Sequence, residues 1–478
     1  MLTAPDFKIS NSSEIGDLQC LLIHSPDIGL GKVVPNKAQD WLFEDIVHLD
    51  TIRGKEYDHY VKVLLYFLDP DKIKGKLNEI EDNRDFFKPG KADFHNSSKV
   101  IEFQTLLADI LSEQNVKEKL IAAVCGMENV TYALQQTLIS TDPVELAKIL
   151  LSGFFNKELI FAPIPNFIFS RDVGVAINGH LLISKPAKPA RLRETLLVRY
   201  IFFNHPLFSV YRDKIIEIPQ SSETFLETAD ETHERTTLEC GDVMVVNHNH
   251  LLIGCSERTS TRGANAAIKL LFEQNVIEKI TIIKIPQKRN FMHLDTVFTQ
   301  VKRNVWVLLK SLFDVTNVDP AEPISHFGDT KPKESPEILQ FSKGKTDSPK
   351  RFHNLEELLD DISRNDLHST EATKFIYSGN NQFPYDSREQ WTDSCNLLAL
   401  KEGVVLAYDR NDKTVEAFEN NGFEVIKVAD LLRKLESGEL SVDTIKDTVI
   451  LMPSAELSRA RGGFHCMSMP LLRTSISQ

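Results

Sequence analysis

A cysteine near the C-terminus is the strongest candidate for chemistry in this chain. Cys466 ends the sequence Arg461-Gly-Gly-Phe-His465-Cys466, and two adjacent glycines permit unusual backbone angles and close approach to a ligand. Such a cysteine fits a nucleophile, which reacts as a thiolate stabilised by nearby cationic or hydrogen-bond-donating groups. A buried structural cysteine is the alternative that the local sequence leaves open.

A histidine and an aspartate two residues apart form the second candidate. His293 and Asp295 lie in a predicted strand, and alternate strand residues point to the same face, so both side chains can enter one pocket. A histidine next to carboxylates can stay protonated and act as a general acid and then as a general base. A metal site or a hydrogen-bonded core histidine fits the same pair.

Carboxylates at the start of apolar strands suggest a site for a cation. Asp172, Glu239 and Asp242 hold such positions, where burial is costly unless each carboxylate is paired. A cationic substrate would supply the pairing, although an internal salt bridge or a capping role would also do so. Arg191 and Arg258 are candidates for binding an anion, because a guanidinium pairs with a carboxylate through two hydrogen bonds. Exposed surface arginines are their alternative.

These residues fall within a unit of strand, tight turn, strand, helix and strand that recurs along the chain. About five copies predict a closed radial array of mixed α/β units, in which the polar residues that begin the first strands converge on one place. The first strands of the copies are predicted at Leu18–His24, Asp172–Ile177, Asp242–Val246, Asp295–Gln300 and Asn396–Leu400. A hairpin turn is predicted at Asn178-Gly179, a helix cap at Ser260 or Thr261, and a later strand at Glu424–Val428.

A helical insertion is predicted to interrupt this repeat. Residues 71–155 carry a helical pattern, for example at Val100–Leu111 and Val116–Val124, and little strand signal. The insertion divides the repeating domain into a first part, residues 1–70, and a remainder, residues 156–478.

A second interruption is predicted at residues 314–370, which form a linker-like excursion because prolines and charges dominate their first part. A short helix is expected within it near Leu355–Ile362, where Asn354 and Glu357 have the spacing of a helix cap.

The composition is that of a globular protein. The sequence has 478 residues, of which 42% are hydrophobic and 26% charged, so it can bury a sizeable core. Its 55 Lys and Arg against 68 Asp and Glu give a net charge of −13, which disfavours a nucleic-acid-binding protein. The six cysteines form no C-x-x-C pair, which argues against a structural zinc site. With neither a signal-like N-terminus nor a long apolar window, a cytoplasmic setting is expected.

Five motifs, in this order, resemble the motif series of the arginine deiminase family. They are Pro165-Asn166-Phe-Ile-Phe169-Ser-Arg171-Asp172, Glu239-Cys-Gly-Asp242-Val-Met, Glu257-Arg258-Thr-Ser260, Met292-His293-Leu-Asp295-Thr-Val-Phe298 and Arg461-Gly-Gly-Phe-His465-Cys466-Met. Trp391-Thr-Asp393-Ser-Cys-Asn396 and Val405–Arg410 extend the resemblance, which covers nearly the whole chain apart from residues 314–350.

The resemblance implies a five-bladed α/β propeller of ββαβ modules with a helical insertion. It also implies hydrolysis of L-arginine to L-citrulline and ammonia, a reaction of arginine catabolism that needs neither a cofactor nor a metal. L-arginine is then the expected partner, and the chain is expected to form a homo-oligomer that binds no nucleic acid and no membrane.

The matched positions imply a role for each site residue. Cys466 would be the nucleophile, His293 the general acid and base, and Glu239 the partner of His293. The other roles are substrate contacts: Asp172 and Asp295 would grip the guanidinium, Asn166, Arg191 and Arg258 would hold the α-carboxylate, Phe169 would line the aliphatic chain, and Arg461 would cover the pocket.

Three positions depart from glycines that are common in the family: Cys240, Ser394 and Ala460. They bear on loop mobility and fine specificity more than on the reaction class.

The alternatives to arginine hydrolysis are an amidinotransferase that uses an amine acceptor instead of water, a non-catalytic arginine-binding protein, and a Cys–His hydrolase of peptides. The second is disfavoured because Cys466, His293 and the carboxylates occur together, and the third because an Asp-rich pocket suits a cation.

Overall fold

The computed structural model is a mixed α/β fold and describes residues 7–81, 83–219, 235–312 and 337–476. The first sheet holds Leu18–Ile23 between Val100–Glu102 and Met469–Arg473, and the second holds Gly174–Ile177, His180–Ile183 and Ile215–Glu217. The third contains, in spatial order, Lys345–Phe352, Ile338–Ser342, Lys279–Lys284, His250–Cys255 and Val243–Asn247. The fourth contains Phe298–Lys302, Val305–Leu308 and Lys374–Tyr377, and the fifth Leu398–Lys401, Val404–Tyr408, Thr448–Met452 and Glu424–Lys427. A separate hairpin pairs Phe154–Phe155 with Glu158–Leu159.

The predicted repeating unit is confirmed in the second to fifth sheets. Each begins with an antiparallel hairpin, and a strand that follows a helix then pairs in parallel with the second strand of that hairpin. The hairpin turn of the second sheet contains Asn178 with a φ of 52°, a left-handed conformation that Asn adopts more readily than most residues. In the fifth sheet Thr448–Met452, rather than the predicted strand near residue 424, lies next to Val404–Tyr408.

The first sheet joins the two ends of the described chain. Leu18–Ile23 is its central strand, parallel to Val100–Glu102 on one side and antiparallel to Met469–Arg473 on the other. Because Met469–Arg473 begins three residues after Cys466, the loop that carries this cysteine is anchored directly to the sheet.

The helices connect the strands along the chain, and several of them lie between Leu18–Ile23 and Gly174–Ile177 in the sequence. They span Leu49–Thr51, Asp58–Leu68, Leu77–Glu81, Phe103–Leu111, Gln114–Met127, Tyr132–Ser140, Pro143–Ser152, Ser170–Val173, Leu192–Asn204, Thr261–Glu273, Leu355–Asp361, Tyr385–Trp391, Asp412–Asn420 and Val428–Ser437. Two predicted caps are confirmed: Ser260 accepts a hydrogen bond from the backbone N–H of Gly263 at 3.0 Å, and Asn354 from that of Glu357 at 2.8 Å.

The helix predicted from Val100 begins three residues later, at Phe103. Val100–Glu102 is instead a buried strand that pairs with Leu18–Ile23. A short apolar run does not distinguish a buried strand from a buried helix, and here the pairing with a distant strand decides.

The predicted linker-like excursion is partly a sheet. Residues 338–352 form two strands that extend the third sheet, while residues 314–336 of this segment lie outside the described residues. Lys345–Phe352 is the edge strand of this sheet and is largely exposed. Its sequence therefore lacks the alternation of apolar and polar residues that would predict a strand. Pro349 is tolerated there because an edge strand leaves some N–H positions unpaired.

No helix in the part of the chain that the structure describes is long and apolar enough to cross a membrane.

Candidate active site

The loop that carries Cys466 is held by the side chain of Asn396. Its Oδ1 accepts hydrogen bonds from the backbone N–H groups of Gly463 and Cys466, both at 3.0 Å. Its Nδ2 donates to Cys466 Sγ at 3.1 Å, and Sγ lies 3.4 Å from Oδ2 of Asp295. The cysteine is 3% exposed, so the thiol has a fixed position in a nearly dry site.

The two glycines before Cys466 allow neighbouring groups to pack closely against the backbone of this loop. A Cβ on Gly462 would lie 2.2 Å from the ring of Phe169, and one on Gly463 would lie 2.4 Å from the carbonyl oxygen of Asn396. The unusual backbone angle that the sequence suggested belongs to Arg461, whose φ is 62°, and not to either glycine.

His293 lies between two of the predicted carboxylates. Its Nε2 is 3.0 Å from Glu239 Oε2, and its Nδ1 is 3.5 Å from Asp172 Oδ1. Gly241 makes this packing possible, because a Cβ there would lie 2.6 Å from His293 Nδ1. The three side chains are all buried and form one charged cluster.

His293 and Asp295 are not in a strand as predicted. They flank and enter a 3₁₀ turn, Leu294–Thr296, that precedes Phe298–Lys302. Asp242 fixes this turn by accepting a hydrogen bond from the backbone N–H of Leu294 at 2.9 Å. The turn brings both side chains to the site, His293 towards Glu239 and Asp295 towards Cys466.

A buried network of hydrogen bonds and ion pairs behind Asp295 was not predicted from the sequence. His465 Nδ1 is 2.8 Å from Asp295 Oδ2, and His465 Nε2 is 3.2 Å from Glu14 Oε2. Glu14 also pairs with Arg171 at 3.1 Å. Glu14 precedes the first strand and carries no local signal of a function, whereas His465 was visible only as part of the cysteine motif.

Arg191 already contacts three carboxylates. Its Nη1 lies 2.7 Å from Asp172 Oδ2 and 3.0 Å from Glu239 Oε2, and its Nε lies 2.8 Å from Glu194 Oε2. Arg258 is held more loosely, with Nη1 3.8 Å from Glu239 Oε1. Both arginines are therefore buried parts of the site rather than exposed surface residues.

Several buried polar atoms in the pocket, or beside it next to Cys466, have no hydrogen-bond partner among the described residues. Two are acceptors, Asp172 Oδ1 and Asp295 Oδ1, and two are donors, Arg191 Nη2 and Arg258 Nε. Arg461 Nε is a further unpaired donor. Such atoms are costly to bury, so the pocket offers acceptors to a cation and donors to an anion.

A stretch of chain that we call the covering segment, residues 30–47, lies over the pocket. Leu42 and Glu44 line it, and Asn166 Nδ2 holds the segment by donating to the carbonyl oxygens of Trp41 and Leu42 at 3.0 and 3.1 Å. The amide donor of Asn166, predicted to contact a substrate carboxylate, is therefore engaged by the segment in this structure.

Arg461 covers the pocket from the other side. Its guanidinium stacks 3.7 Å from the ring centroid of Trp391 and donates to the carbonyl oxygen of Trp391 at 2.8 Å. The space left inside the pocket is about 20 Å³, roughly enough for a single water molecule. A larger ligand must therefore displace the covering segment, Arg461 or both.

Charge in the site favours a protonated histidine and a neutral thiol. Burial raises the pKa of Cys466 well above its usual value, and the charges of Asp295 and Asp172 raise it further. Burial alone would lower the pKa of His293, but Asp172, Glu239 and other carboxylates raise it to about 9. Despite burial, Arg191 and His293 hold the pKa of Glu239 below its usual range.

Asp172, Glu239 and His293 are also spaced so that they could hold a metal ion, since one potential ligand atom from each lies within 4.8 Å of the others. In this structure the cation between Asp172 and Glu239 is the guanidinium of Arg191. The cluster is thus suited to positive charge, and to a guanidinium in particular.

The family model described as arginine deiminase matches residues 98–473. The chain belongs to the arginine deiminase family.

Curated relatives agree with this assignment over the whole length. Arginine deiminase from Bacillus cereus (strain B4264) is 30% identical over 480 aligned residues, covering 97% of this chain and 98% of the relative. Arginine deiminase from Bacillus cytotoxicus (strain DSM 22905 / CIP 110041 / 391-98 / NVH 391-98) is 30% identical over 481 residues, with the same coverage.

Solved structures with a similar chain path are more distant. SxtG, an amidinotransferase from Microseira wollei, is 13% identical and has a TM-score of 0.47, covering 98% of this chain and 99% of its own. The N-terminal domain of ArgZ, an arginine dihydrolase from cyanobacteria, is 12% identical with a TM-score of 0.37, covering 65% of this chain and 77% of its own.

The departures from the family's common glycines have different surroundings. Ala460 lines the pocket beside Arg461. Ser394 Oγ is 2.7 Å from Ser378 Oγ in a buried contact. Cys240 is fully buried next to Glu239, with Sγ 3.7 Å from the carbonyl oxygen of Leu182.

Proposed function

We propose that the pocket binds L-arginine as a zwitterion and hydrolyses it to L-citrulline and ammonia through a thiouronium intermediate on Cys466. Membership of the arginine deiminase family makes the chain an enzyme that hydrolyses arginine. The observation that supports this binding mode is the set of buried acceptors and donors without hydrogen bonds that line one pocket or, for Asp295, lie next to its Cys466.

The acceptor end suits the guanidinium of the substrate. Asp172 Oδ1 and Asp295 Oδ1 accept no hydrogen bond, although Asp172 Oδ1 lies 3.5 Å from His293 Nδ1. Asp295 also lies beside the thiol. A guanidinium held by these two groups presents its central carbon to Cys466 Sγ. Phe169, whose ring packs against Gly462, is placed to contact the aliphatic chain.

The donor end suits the α-carboxylate. Arg258 Nε and Arg191 Nη2 are buried and form no hydrogen bond, and Arg258 Nε is only 3.6 Å from Glu257 Oε1. A carboxylate is the anion that a guanidinium pairs with best. Arg191 now spans Asp172 and Glu239, so substrate binding must shift its guanidinium away from the acceptor end. Asn166 joins this end once the covering segment releases its amide, and Arg461 closes over the bound substrate.

The reaction then proceeds in two steps, formation and hydrolysis of the cysteine adduct. The positive substrate promotes loss of the Cys466 proton to solvent, and the thiolate attacks the guanidinium carbon. Protonated His293, held by Glu239, gives its proton to the departing ammonia, and the C–N bond breaks to leave a thiouronium cation bonded to sulfur. Neutral His293 next takes a proton from water, whose oxygen attacks the same carbon. The C–S bond then breaks, citrulline leaves, and the proton lost from its new oxygen restores the thiol of Cys466.

Assaying the purified enzyme with L-arginine as the sole organic substrate tests this function. Citrulline and ammonia in equal amounts, unchanged by a chelator, are expected. A product that forms only when an amine acceptor is added would identify an amidinotransferase, and arginine binding without any product would identify a binding protein. Loss of activity with the chelator would assign Asp172, Glu239 and His293 to a metal.

The α-carboxylate contacts have a separate test. Agmatine, which lacks this group, is expected to have a far lower kcat/KM than arginine, because a well-desolvated charge-assisted contact is worth several kcal/mol. Replacing Arg258 with Leu should remove most of that difference by impairing arginine alone. Equal kcat/KM for agmatine and arginine in the unmodified enzyme would contradict the roles of Arg191 and Arg258.

The same proposal extends to the architecture. Four ββαβ units and the sheet that joins the chain ends suit the five blades of a propeller around the pocket, with residues 71–155 as a helical insertion. An experimental structure whose sheets do not surround a common axis would contradict it. A homo-oligomer and a cytoplasmic setting remain predictions; the free thiol state of all six cysteines suits a reducing compartment.

A further inference from the structure

A second cavity, of about 250 Å³, lies apart from Cys466. It is bounded by the residues just before the covering segment, the helical stretch that follows the segment, and elements further along the chain. Its walls include Ser25–Ile28, Arg53, Tyr57, Asp58, Arg84, Phe87–Pro89, Lys91, Gln104, Lys148 and Ser152. None of these residues lines the active-site pocket.

The cavity carries an excess of positive charge. Five basic side chains line it against two carboxylates, those of Asp27 and Asp58. Asp58 is already bound by Arg84 through two hydrogen bonds of 2.8 and 2.9 Å. Asp27 accepts from the backbone N–H of Gly29 at 2.6 Å and lies 3.3 Å from His24 Nε2. Both acidic groups are therefore engaged within the protein.

Two of the cations are not engaged in this way. Among the described residues, neither Arg53 nor Lys91 has a carboxylate within ion-pair distance, and Arg53 Nε donates to the carbonyl oxygen of Pro26 at 2.8 Å. The other two basic side chains, Lys88 and Lys148, pair with exposed carboxylates outside the cavity. Arg53 and Lys91 thus leave a place for an anion.

A polar amide in the wall is available to a ligand. Gln104 lines the cavity, and its side-chain amide forms no hydrogen bond within the described part of the chain. Because this amide is not among the buried atoms without a partner, it is in contact with solvent. A polar group of a molecule inside the cavity can replace that solvent.

The remaining wall is apolar and of limited size. Pro26, Ile28, Tyr57, Phe87 and Pro89 face the cavity. An engineered apolar cavity of about 150 Å³ holds benzene, so this space accommodates one aromatic ring together with an acidic group. Inorganic anions alone would leave the apolar wall uncovered.

The position of the cavity connects it to the active site. Ile28 stands just before the covering segment, and Arg53 and Tyr57 stand just after it. The middle of the same segment supplies Leu42 and Glu44 to the active-site pocket. A ligand that contacts the chain on both sides of the segment holds the two flanks together and so favours the closed position described here, which leaves too little room for arginine.

We propose that this cavity is a regulatory site for a small organic anion, a carboxylate or phosphate on a single aromatic ring, and that its occupancy hinders arginine binding. Arg53 and Lys91 bind the acidic group, Gln104 satisfies a polar atom, and the apolar wall covers the ring. The anion site itself does not depend on the proposed reaction, whereas the effect on arginine does.

Calorimetric titration tests the site without reference to activity. Phenyl phosphate and benzoate are the two aromatic anions used as probes. Inorganic phosphate represents an anion without a ring, and benzyl alcohol represents a ring without a charge. At least one aromatic anion is expected to bind about tenfold more tightly than either of its parts, and which anion does so distinguishes phosphate from carboxylate recognition. Failure of both aromatic anions to bind overturns the proposal.

Variants locate the binding. Lys91→Gln and Arg53→Gln should each weaken the aromatic anion about tenfold or more, and Gln104→Met should weaken it while preserving the volume and charge of the wall. The matched control is Lys119→Gln, an exposed lysine on Gln114–Met127 that does not line the cavity. Equal weakening by the control, or no weakening by Lys91→Gln and Arg53→Gln, places the anion elsewhere and overturns the site.

Kinetics test the coupling. Saturating aromatic anion should lower kcat/KM for arginine about fivefold or more, and Lys91→Gln should remove this effect without changing kcat/KM in the absence of the anion. Arginine should in turn weaken anion binding in the Cys466→Ala variant, which binds but does not turn over. Tight anion binding with unchanged kcat/KM and no mutual effect overturns the regulatory coupling.

Discussion

Cys466 and His293 place opposite demands on the charge of the site. Carboxylates around them favour imidazolium, so the pKa of His293 rises to about 9, and disfavour thiolate, so the pKa of Cys466 rises well above its ordinary value. In the unliganded enzyme His293 is therefore protonated and can act as an acid, whereas Cys466 is a neutral thiol and is a weak nucleophile. A cationic substrate relieves this conflict by adding positive charge next to Asp172 and Asp295.

We expect Cys466 to be a neutral thiol in the free enzyme near neutral pH and to ionise when a non-reactive arginine analogue binds. The difference in ultraviolet thiolate absorbance between the unmodified enzyme and Cys466→Ser isolates this residue, since five other buried cysteines remain in both. A thiolate at Cys466 in the unliganded enzyme at about pH 6, below the reference pKa of either group, would instead indicate a standing Cys–His ion pair.

Among the elements, the cysteine loop depends on glycine packing. Gly462→Ala should lower the free energy of unfolding by about 1–3 kcal/mol, because its methyl group would overlap the Phe169 ring. It should also reduce kcat/KM by more than about tenfold, because Phe169 and Cys466 share this loop contact.

Gly126→Ala provides the matched control for this loop. Gly126 lies within Gln114–Met127, and an added Cβ meets no described heavy atom within 4 Å. The same substitution should therefore stabilise the protein by about 0.5–1 kcal/mol and leave kcat/KM unchanged. Thermal unfolding and steady-state assays of both variants compare them, and equal effects would show that Gly462 has no special packing role.

The sequence predicts elements better than it predicts how they are joined. The hairpin at Asn178 and the caps at Ser260 and Asn354 were found because their signals lie within a few residues. Val100–Glu102 was mistaken for helix because its partner strand is about eighty residues away. His293 and Asp295 reach the site from a turn that Asp242 fixes across the fold, which no local pattern records.

The same limit applies to the site. Its central members were predicted because they sit in compact motifs of reactive residue types. Leu42, Glu44 and Glu14 were not, because each acts through contacts with residues far away in the sequence. The ion pairs of Arg191 were not predicted for the same reason: its three carboxylate partners become visible only in the folded chain.

At the scale of the whole molecule, Glu14 connects distant parts of the chain. It binds Arg171 before the second sheet, the backbone N–H of Val245 in the third sheet, and His465 in the cysteine loop. Glu14→Gln would leave the fully buried Arg171 without its carboxylate, so the free energy of unfolding should fall by about 3–5 kcal/mol. Chemical denaturation measures this loss.

The stabilisation that Glu14 provides depends on pH because the pKa of Glu14 is lowered in the folded protein. Burial alone would raise this pKa, but Arg171 and His465 lower it by more. The stabilisation is fully present above the ordinary pKa of 4.5 and is lost as pH falls towards the lowered value. The gap between the unmodified protein and Glu14→Gln should therefore be constant above about pH 5.5 and narrow below it. Asp40→Asn is the control: its pair with Lys37 is exposed, so the change should cost less than about 1 kcal/mol.

The central claim is that Cys466 carries the substrate carbon during turnover. Single-turnover reaction with arginine, acid quenching at early times and peptide mass spectrometry test it most directly. We predict a transient adduct on the Cys466 peptide with the mass of arginine less ammonia, decaying as citrulline appears, and absent in Cys466→Ala, which should not turn over. An adduct on Cys240 or Cys395, or citrulline formation that survives in Cys466→Ala, would contradict the claim.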